Sequence, residues 1–209
     1  MIRVLLVDDH AVVRAGLRRI LTSAAGIEVV GETGTGEEAV ALARELKPHV
    51  VVMDLAMPGM GGIEATKRIV RQSPRPAVLI LTVFPGKRYG LRLLRAGALG
   101  YLEKRVAPEK LVEGVYKVAR GEYYLPPELE QEILRRELAG ETESPADLLT
   151  DRELEVLCLM AQGKTASEVA RELKLSRKTV DTYRFRIRKK LGLRTSADYL
   201  RFCLDEGLL

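Results

Sequence analysis

The stretch VVMDLAMPGMGG, Val51 to Gly62, decides the fold. Its first residues are apolar with no polar alternation, the pattern of a strand buried on both faces of a parallel sheet. Asp54 stands where the run ends, and Pro58 with Gly59, Gly61 and Gly62 supplies the turn that follows. In an open α/β sheet, ligands sit beyond the carboxyl ends of the strands. A carboxylate at that mouth is therefore a candidate for chemistry.

Working outward, four similar runs flank this one: IRVLLVDD, IEVVGE, AVLILTV and ALGYLEK. Between them lie AVVRAGLRRILTSA, GEEAVALARELK, IEATKRIVRQ and KRYGLRLLRAG, with apolar residues three and four apart, and PEKLVEGVYKVARG follows the last strand. The alternation predicts an α/β domain with a doubly wound, five-stranded parallel sheet over residues 1–121. GTGEEA, Gly34 to Ala39, fits the glycine fingerprint of dinucleotide binders. That fingerprint belongs on the first strand of its unit, so a turn that starts the second helix is the better reading.

Punctuation changes after Gly121. Residues 122–147 hold Pro126 and Pro127, a short charged helix, and the breakers Gly140, Ser144 and Pro145. They read as an acidic linker. Residues 148–209 read as four short helices, with capping boxes at Thr150/Glu153, Thr165/Glu168 and Thr195/Asp198, a cap at Ser176, and stops at Gly163 and Gly192. Charge follows the same division: 19 basic and 12 acidic side chains in 1–121, 2 and 8 in 122–147, 13 and 9 in 148–209. No apolar run approaches the ~18 residues that cross a bilayer. At the N-terminus a run of four apolar residues stops at two aspartates, unlike a secretory signal. A cytoplasmic protein without membrane association is expected. Cys158 and Cys203 fall in apolar helical patterns and read as buried thiols.

Asp8 and Asp9 close the first strand, Asp54 the third and Thr82 the fourth, while the fifth delivers Lys104. Three converging carboxylates call for a hard cation, and Mg²⁺ with oxygen ligands fits. Carboxylate, cation, lysine and hydroxyl together suit phosphoryl transfer, which depends on positioning and charge neutralisation.

LLVDDHAVVRAGL, VVMDLAMPGMGGIEATKRI, LILT and AGALGYLEKRVAPEKL resemble the receiver domain of two-component response regulators, across residues 1–121. The resemblance implies a flavodoxin-like fold with Asp54 as phosphoacceptor, fed by a sensor histidine kinase. It also implies Mg²⁺ held by Asp8, Asp9, Asp54 and the backbone carbonyl of Ala56. Thr82 and Lys104 would contact phosphoryl oxygens, and Tyr101 would be the aromatic switch. Ala56 and Phe84 would border the path of an attacking water, and with no polar side chain at either a slow loss of phosphate is expected.

In residues 148–209, TASEVARELKLSRKTVDTYRFRIRKKLG reads helix, turn, helix. From Arg177 to Arg194 there are eight basic residues against the single acid Asp181, a density that points to nucleic acid. At about 100° per residue, Val180, Ile187 and Leu191 share one side with Tyr183 near it. Lys178, Thr182, Phe185 and Lys189 lie opposite, with Asp181 and Arg186 flanking. The outward Phe185 suits a thymine methyl or packing against a neighbouring helix. LTDRELEVLCLMAQGKTASEVARELKLSRKTVDTYRFRIRKKLGL resembles the LuxR-type helix-turn-helix of the NarL/FixJ class, with Tyr183 where many members carry histidine. That implies double-stranded DNA read at paired half-sites by Arg177, Lys178, Thr179, Asp181, Thr182, Phe185, Arg186 and Lys189. It implies a homodimer on phosphorylation, with the last helix supporting dimer formation. Two rival readings remain: a metal-dependent phosphotransferase or phosphatase acting on small molecules, which leaves the basic helices without a purpose, and a constitutive DNA binder.

Overall fold

The computed structural model describes residues 1–83, 86–138, 144–206 and 208–209. Its contacts divide the chain into two compact units, Met1–Glu130 and Gln131–Leu209.

In the first unit the strands are β1 (Ile2–Val7), β2 (Ile27–Thr33), β3 (Val50–Met53), β4 (Ala77–Thr82) and β5 (Gly100–Glu103). All pair in parallel in the order β2-β1-β3-β4-β5. The central strands are sealed: every residue of β3 and Leu5, Leu6 and Val78 to Leu81 are buried. That is why they carry no polar alternation. Helices α1 (Ala11–Ser23), α2 (Gly36–Leu46), α3 (Gly62–Ile69), α4 (Gly86–Arg95) and α5 (Pro108–Ala119) are the crossovers. GTGEEA starts α2, with Thr35 as its N-cap accepting from the Glu38 N–H. After α5 the chain returns along β5: Tyr101 N–H donates to the Tyr124 carbonyl and Tyr124 N–H to the Leu99 carbonyl, each at 2.9 Å.

Helix α6 (Pro127–Leu138) spans the division between the units. In the second unit a 3₁₀ turn (Pro145–Leu148) leads to α7 (Asp151–Ala161), α8 (Ala166–Glu172), α9 (Arg177–Leu191) and α10 (Ser196–Asp205). Capping boxes form at Thr150, Thr165 and Thr195, and Ser176 caps α9 through the Thr179 N–H. Gly192 ends α9 in the left-handed region, φ 73°, where a side chain would be strained. The core gathers Leu154, Leu157, Cys158, Val169, Val180, Ile187, Tyr199 and Cys203, so both thiols are buried. Among the described residues no helix is long and apolar enough to cross a membrane.

Candidate functional site

The sheet register brings the acids together. Asp54 N–H donates to the Val7 carbonyl at 2.8 Å and Asp8 N–H to the Thr33 carbonyl at 3.0 Å, so both leave adjacent strands at one edge. Lys104 N–H donates to the Thr82 carbonyl at 2.8 Å, which fixes the lysine at the end of β5, two strands along from β3. Its ammonium reaches back, with Nζ 2.7 Å from Asp54 Oδ2 and 2.6 Å from Asp8 Oδ2. The Asp8 contact is a close ion pair of poor hydrogen-bond directionality. Asp54 Oδ1 accepts the Leu55 N–H at 2.7 Å.

Burial pushes the Asp54 carboxyl above the ordinary carboxylate range, against the opposing pull of Lys104. Burial also works against the Lys104 charge, but Asp54 and Asp8 outweigh it and hold the ammonium above its usual pKa. Both partners of one pair thus shift upward: dehydration dominates for the acid, and two carboxylates dominate for the base.

Among the described residues, one lysine contacts this group of three carboxylates and does not balance it. Asp8, Asp9, His10 and Asp54 offer ligand atoms that all lie within 4.8 Å of one another. This oxygen-rich set carries excess negative charge and fits a divalent cation. His10 was not among the residues singled out from the sequence. Its Nδ1 lies 2.6 Å from Asp9 Oδ1, and its backbone N–H donates to Asp8 Oδ1 at 2.8 Å. Only the run DDH hints at it. Arg14 was missed as well, and its Nη1 donates to the Asp8 carbonyl at 2.5 Å, bracing the strand end.

Thr82 and Tyr101 are buried, at 0% and 1% exposure, and Ala56 is half-buried beyond Asp54. Phe84 lies outside the described residues. The turn beside Asp54 is held from two sides: Met60 N–H donates to Glu37 Oε1 at 2.8 Å, and Gly62 N–H to the Leu55 carbonyl at 3.0 Å. A Cβ on Gly62 would stand 2.0 Å from the Asp54 carbonyl oxygen, so only glycine lets α3 start there.

The basic helix of the second unit is α9. Val180 and Ile187 are fully buried, while Leu191 and Tyr183 are half-buried on the same side. Arg177, Lys178, Asp181, Thr182, Phe185, Arg186 and Lys189 are exposed, and Thr179 is half-buried. Phe185 is 68% exposed, so the described residues leave most of the ring uncovered. Several polar groups already have local partners. Thr179 Oγ1 lies 2.7 Å from Ser176 Oγ, Thr182 Oγ1 donates to the Lys178 carbonyl at 2.9 Å, and Arg184 pairs with Asp181 at 3.2 Å. Arg186 lies over the Tyr183 ring, 5.9 Å from its centre. The Lys178 and Lys189 ammonium groups have no ion-pair partner among the described residues.

Comparison with known proteins agrees with both halves. The family described as Response regulator receiver domain matches residues 4–116, and the family described as Bacterial regulatory proteins, luxR family, matches residues 147–203. Response regulator UvrY of Escherichia coli K12 is 40% identical over 209 residues, spanning all of this chain and 96% of that protein. Response regulator GacA of Pseudomonas aeruginosa is 38% identical over 210 residues, spanning all of this chain and 98% of its own. Among solved structures, RcsB of Salmonella enterica serovar Typhimurium, bound to promoter rprA in the presence of the phosphomimetic BeF3-, is similar with a TM-score of 0.62 and 28% identity. That likeness covers 96% of this chain and 97% of RcsB. A LuxR-family two-component response regulator from Aurantimonas sp. SI85-9A1 gives a TM-score of 0.61 and 39% identity over 66% of this chain and 99% of the other.

Proposed function

The chain belongs to the response regulators, as a phosphorylation-regulated transcriptional regulator with a receiver and a LuxR-type DNA-binding domain, and from that premise we propose that Asp54 is its phosphoacceptor. The observation that carries the reading is a buried carboxylate at the mouth of β3 that a lysine already contacts at 2.7 Å. A signalling phosphoprotein of this family is not an enzyme acting on small molecules. Its partner in the reaction is a sensor histidine kinase. An Asp54 carboxylate oxygen attacks the phosphorus of a phosphohistidine, the P–N bond breaks, and an acyl phosphate forms.

Mg²⁺ is the cation we assign to the cluster, with Asp8, Asp9, Asp54 and the Ala56 carbonyl as its ligands. When bound it supplies charge neutralisation for the phosphoryl oxygens. The remaining work falls to side chains. Lys104 can turn from the Asp54 carboxylate to a phosphoryl oxygen, and the Thr82 hydroxyl can donate to another. Tyr101, paired on the neighbouring strand with Ile80, two residues before Thr82, is the candidate to report the change. We assign residues 1–121 to the receiver and 148–209 to the DNA-binding domain, joined by 122–147, whose Tyr124 also borders β5 of the receiver. Phosphorylation favours a homodimer whose two α9 helices read paired half-sites of double-stranded DNA, in the cytoplasm. RcsB, solved on promoter DNA, supports that reading by likeness.

The test is labelling by acetyl phosphate with Mg²⁺ in the full chain, comparing wild type with Asp54→Asn. Wild type should gain one acid-labile, hydroxylamine-sensitive phosphoryl group, and the variant none, because an amide is a poor nucleophile. Equal labelling of the variant would remove Asp54 from the role.

A further inference from the structure

Two acids of the second unit, Glu153 and Glu155, are sealed from solvent at 1% and 2% exposure. A carboxylate taken out of water is costly unless it is paired and hydrogen-bonded. Glu155 is answered within its own helix, by Arg152 at 2.5 Å. Glu153 is answered from a distance. Its Oε2 accepts the Thr150 N–H at 2.7 Å, closing the box that starts α7. The same oxygen lies 2.6 Å from Lys190 Nζ, in the last turn of α9. Burial alone would raise this carboxyl, but Lys190 and the Thr150 N–H bring it below the ordinary range, so it is ionised at neutral pH.

Helical geometry places Lys190 apart from its neighbours. At about 100° per residue, it stands some 60° from the fully buried Ile187 and some 100° from Lys189; both lysines are exposed, with 34% of the Lys190 side chain open to solvent. Lys190 is thus on the shoulder of the packed side, and its charge is already matched by the carboxylate.

We propose that Glu153 and Lys190 are positioning residues for DNA reading: they clamp the end of α9 to the start of α7, and Lys190 is not a phosphate contact. Val180 and the Ser176 cap hold the first turn of α9. Ile187 and the clamp hold the last turns, setting the roll of the helix so that Lys178, Thr182, Phe185 and Lys189 meet the groove together. The inference rests on the DNA-reading role assigned to α9 above.

The experiment measures binding of the full chain to the duplex that wild type enriches from a random pool, and to a scrambled duplex, across a range of salt. Lys189→Ala should weaken both and lower the salt slope by about one unit, the mark of a lost phosphate contact. Lys190→Gln should leave the slope and the scrambled-duplex affinity unchanged, yet reduce the preference for the enriched duplex by about tenfold. Glu153→Gln keeps an acceptor for the Thr150 N–H, so it isolates the loss of charge pairing and should match Lys190→Gln. The reversed pair, Glu153→Lys with Lys190→Glu, should recover part of the preference. A Lys190→Gln slope that drops like that of Lys189→Ala would make Lys190 a phosphate contact and overturn the clamp. So would an unchanged preference in both single variants. Failure of wild type to enrich any duplex would overturn the DNA-reading role, and the clamp with it.

Discussion

Replacing Lys104 with methionine keeps much of the side-chain volume and removes a positive charge seated between Asp8 and Asp54. At 2.6 and 2.7 Å, each pair carries a gross attraction of about 6 kcal/mol at an effective dielectric of ~20. Dehydration of the three groups offsets most of that, and stripping one partner from a buried pair leaves a net loss of about 3–5 kcal/mol. The lower end applies, because the acids can take up protons or cation from the open edge of the sheet. About 3 kcal/mol corresponds to a fall of roughly 10 °C in the melting temperature of a unit this size. The assay is calorimetric melting of the full chain with EDTA or with Mg²⁺, following the receiver transition. At 100 times its Kd, Mg²⁺ returns about 2.7 kcal/mol, so the variant should regain most of its deficit. Wild type should gain less, since cation and Lys104 compete for the same oxygens. Asp54 has a raised pKa in the fold, so its contribution is intact below the unfolded value and is lost as pH rises through the folded one. Removing Lys104 pushes that carboxyl up further, and the deficit in EDTA should shrink as the pH is lowered. Equal melting of variant and wild type in EDTA, or no extra recovery with Mg²⁺, would refute the reasoning.

Gly62→Ala drives a methyl to 2.0 Å from the Asp54 carbonyl oxygen, a backbone atom that cannot swing away. It should cost the receiver about 3 kcal/mol and slow acetyl phosphate labelling, both checked on the purified chain; normal melting and labelling would show that α3 shifts freely. Phe185→Ala should alter the preferred base at one position by about 1–3 kcal/mol, seen by repeating the enrichment from a random pool. An identical preferred sequence would leave the ring without a reading role.

The fold was legible because its signals are local. Uninterrupted valines mark β3, and an acid or hydroxyl marks the strand ends. Thr-x-x-Glu marks helix starts, since the same few atoms satisfy orphan N–H groups wherever they occur. Asp8, Asp54 and Lys104 were legible as a group because parallel strands deliver their carboxyl ends to one edge. His10 was less so: its place in the cluster depends on which way one ring turns out of a helix start. Lys190 was misleading. In sequence it is one more basic residue of α9, and only the packing of α7 against α9, with Glu153 underneath, takes its charge out of the count. The partnership of Tyr124 with β5 was also hidden, as pairing to a sheet from beyond a helix leaves no periodicity to read.

That last feature bears on how the receiver could be isolated. Punctuation invites a cut after Gly121, where the helical pattern stops. Such a fragment would end before Tyr124 and strip β5 of the N–H and carbonyl that cover Leu99 and Tyr101. The outer side of β5 would then be a bare row of backbone groups, the kind of rim on which chains stack into aggregates. A fragment extended past Pro126 keeps that hem sewn.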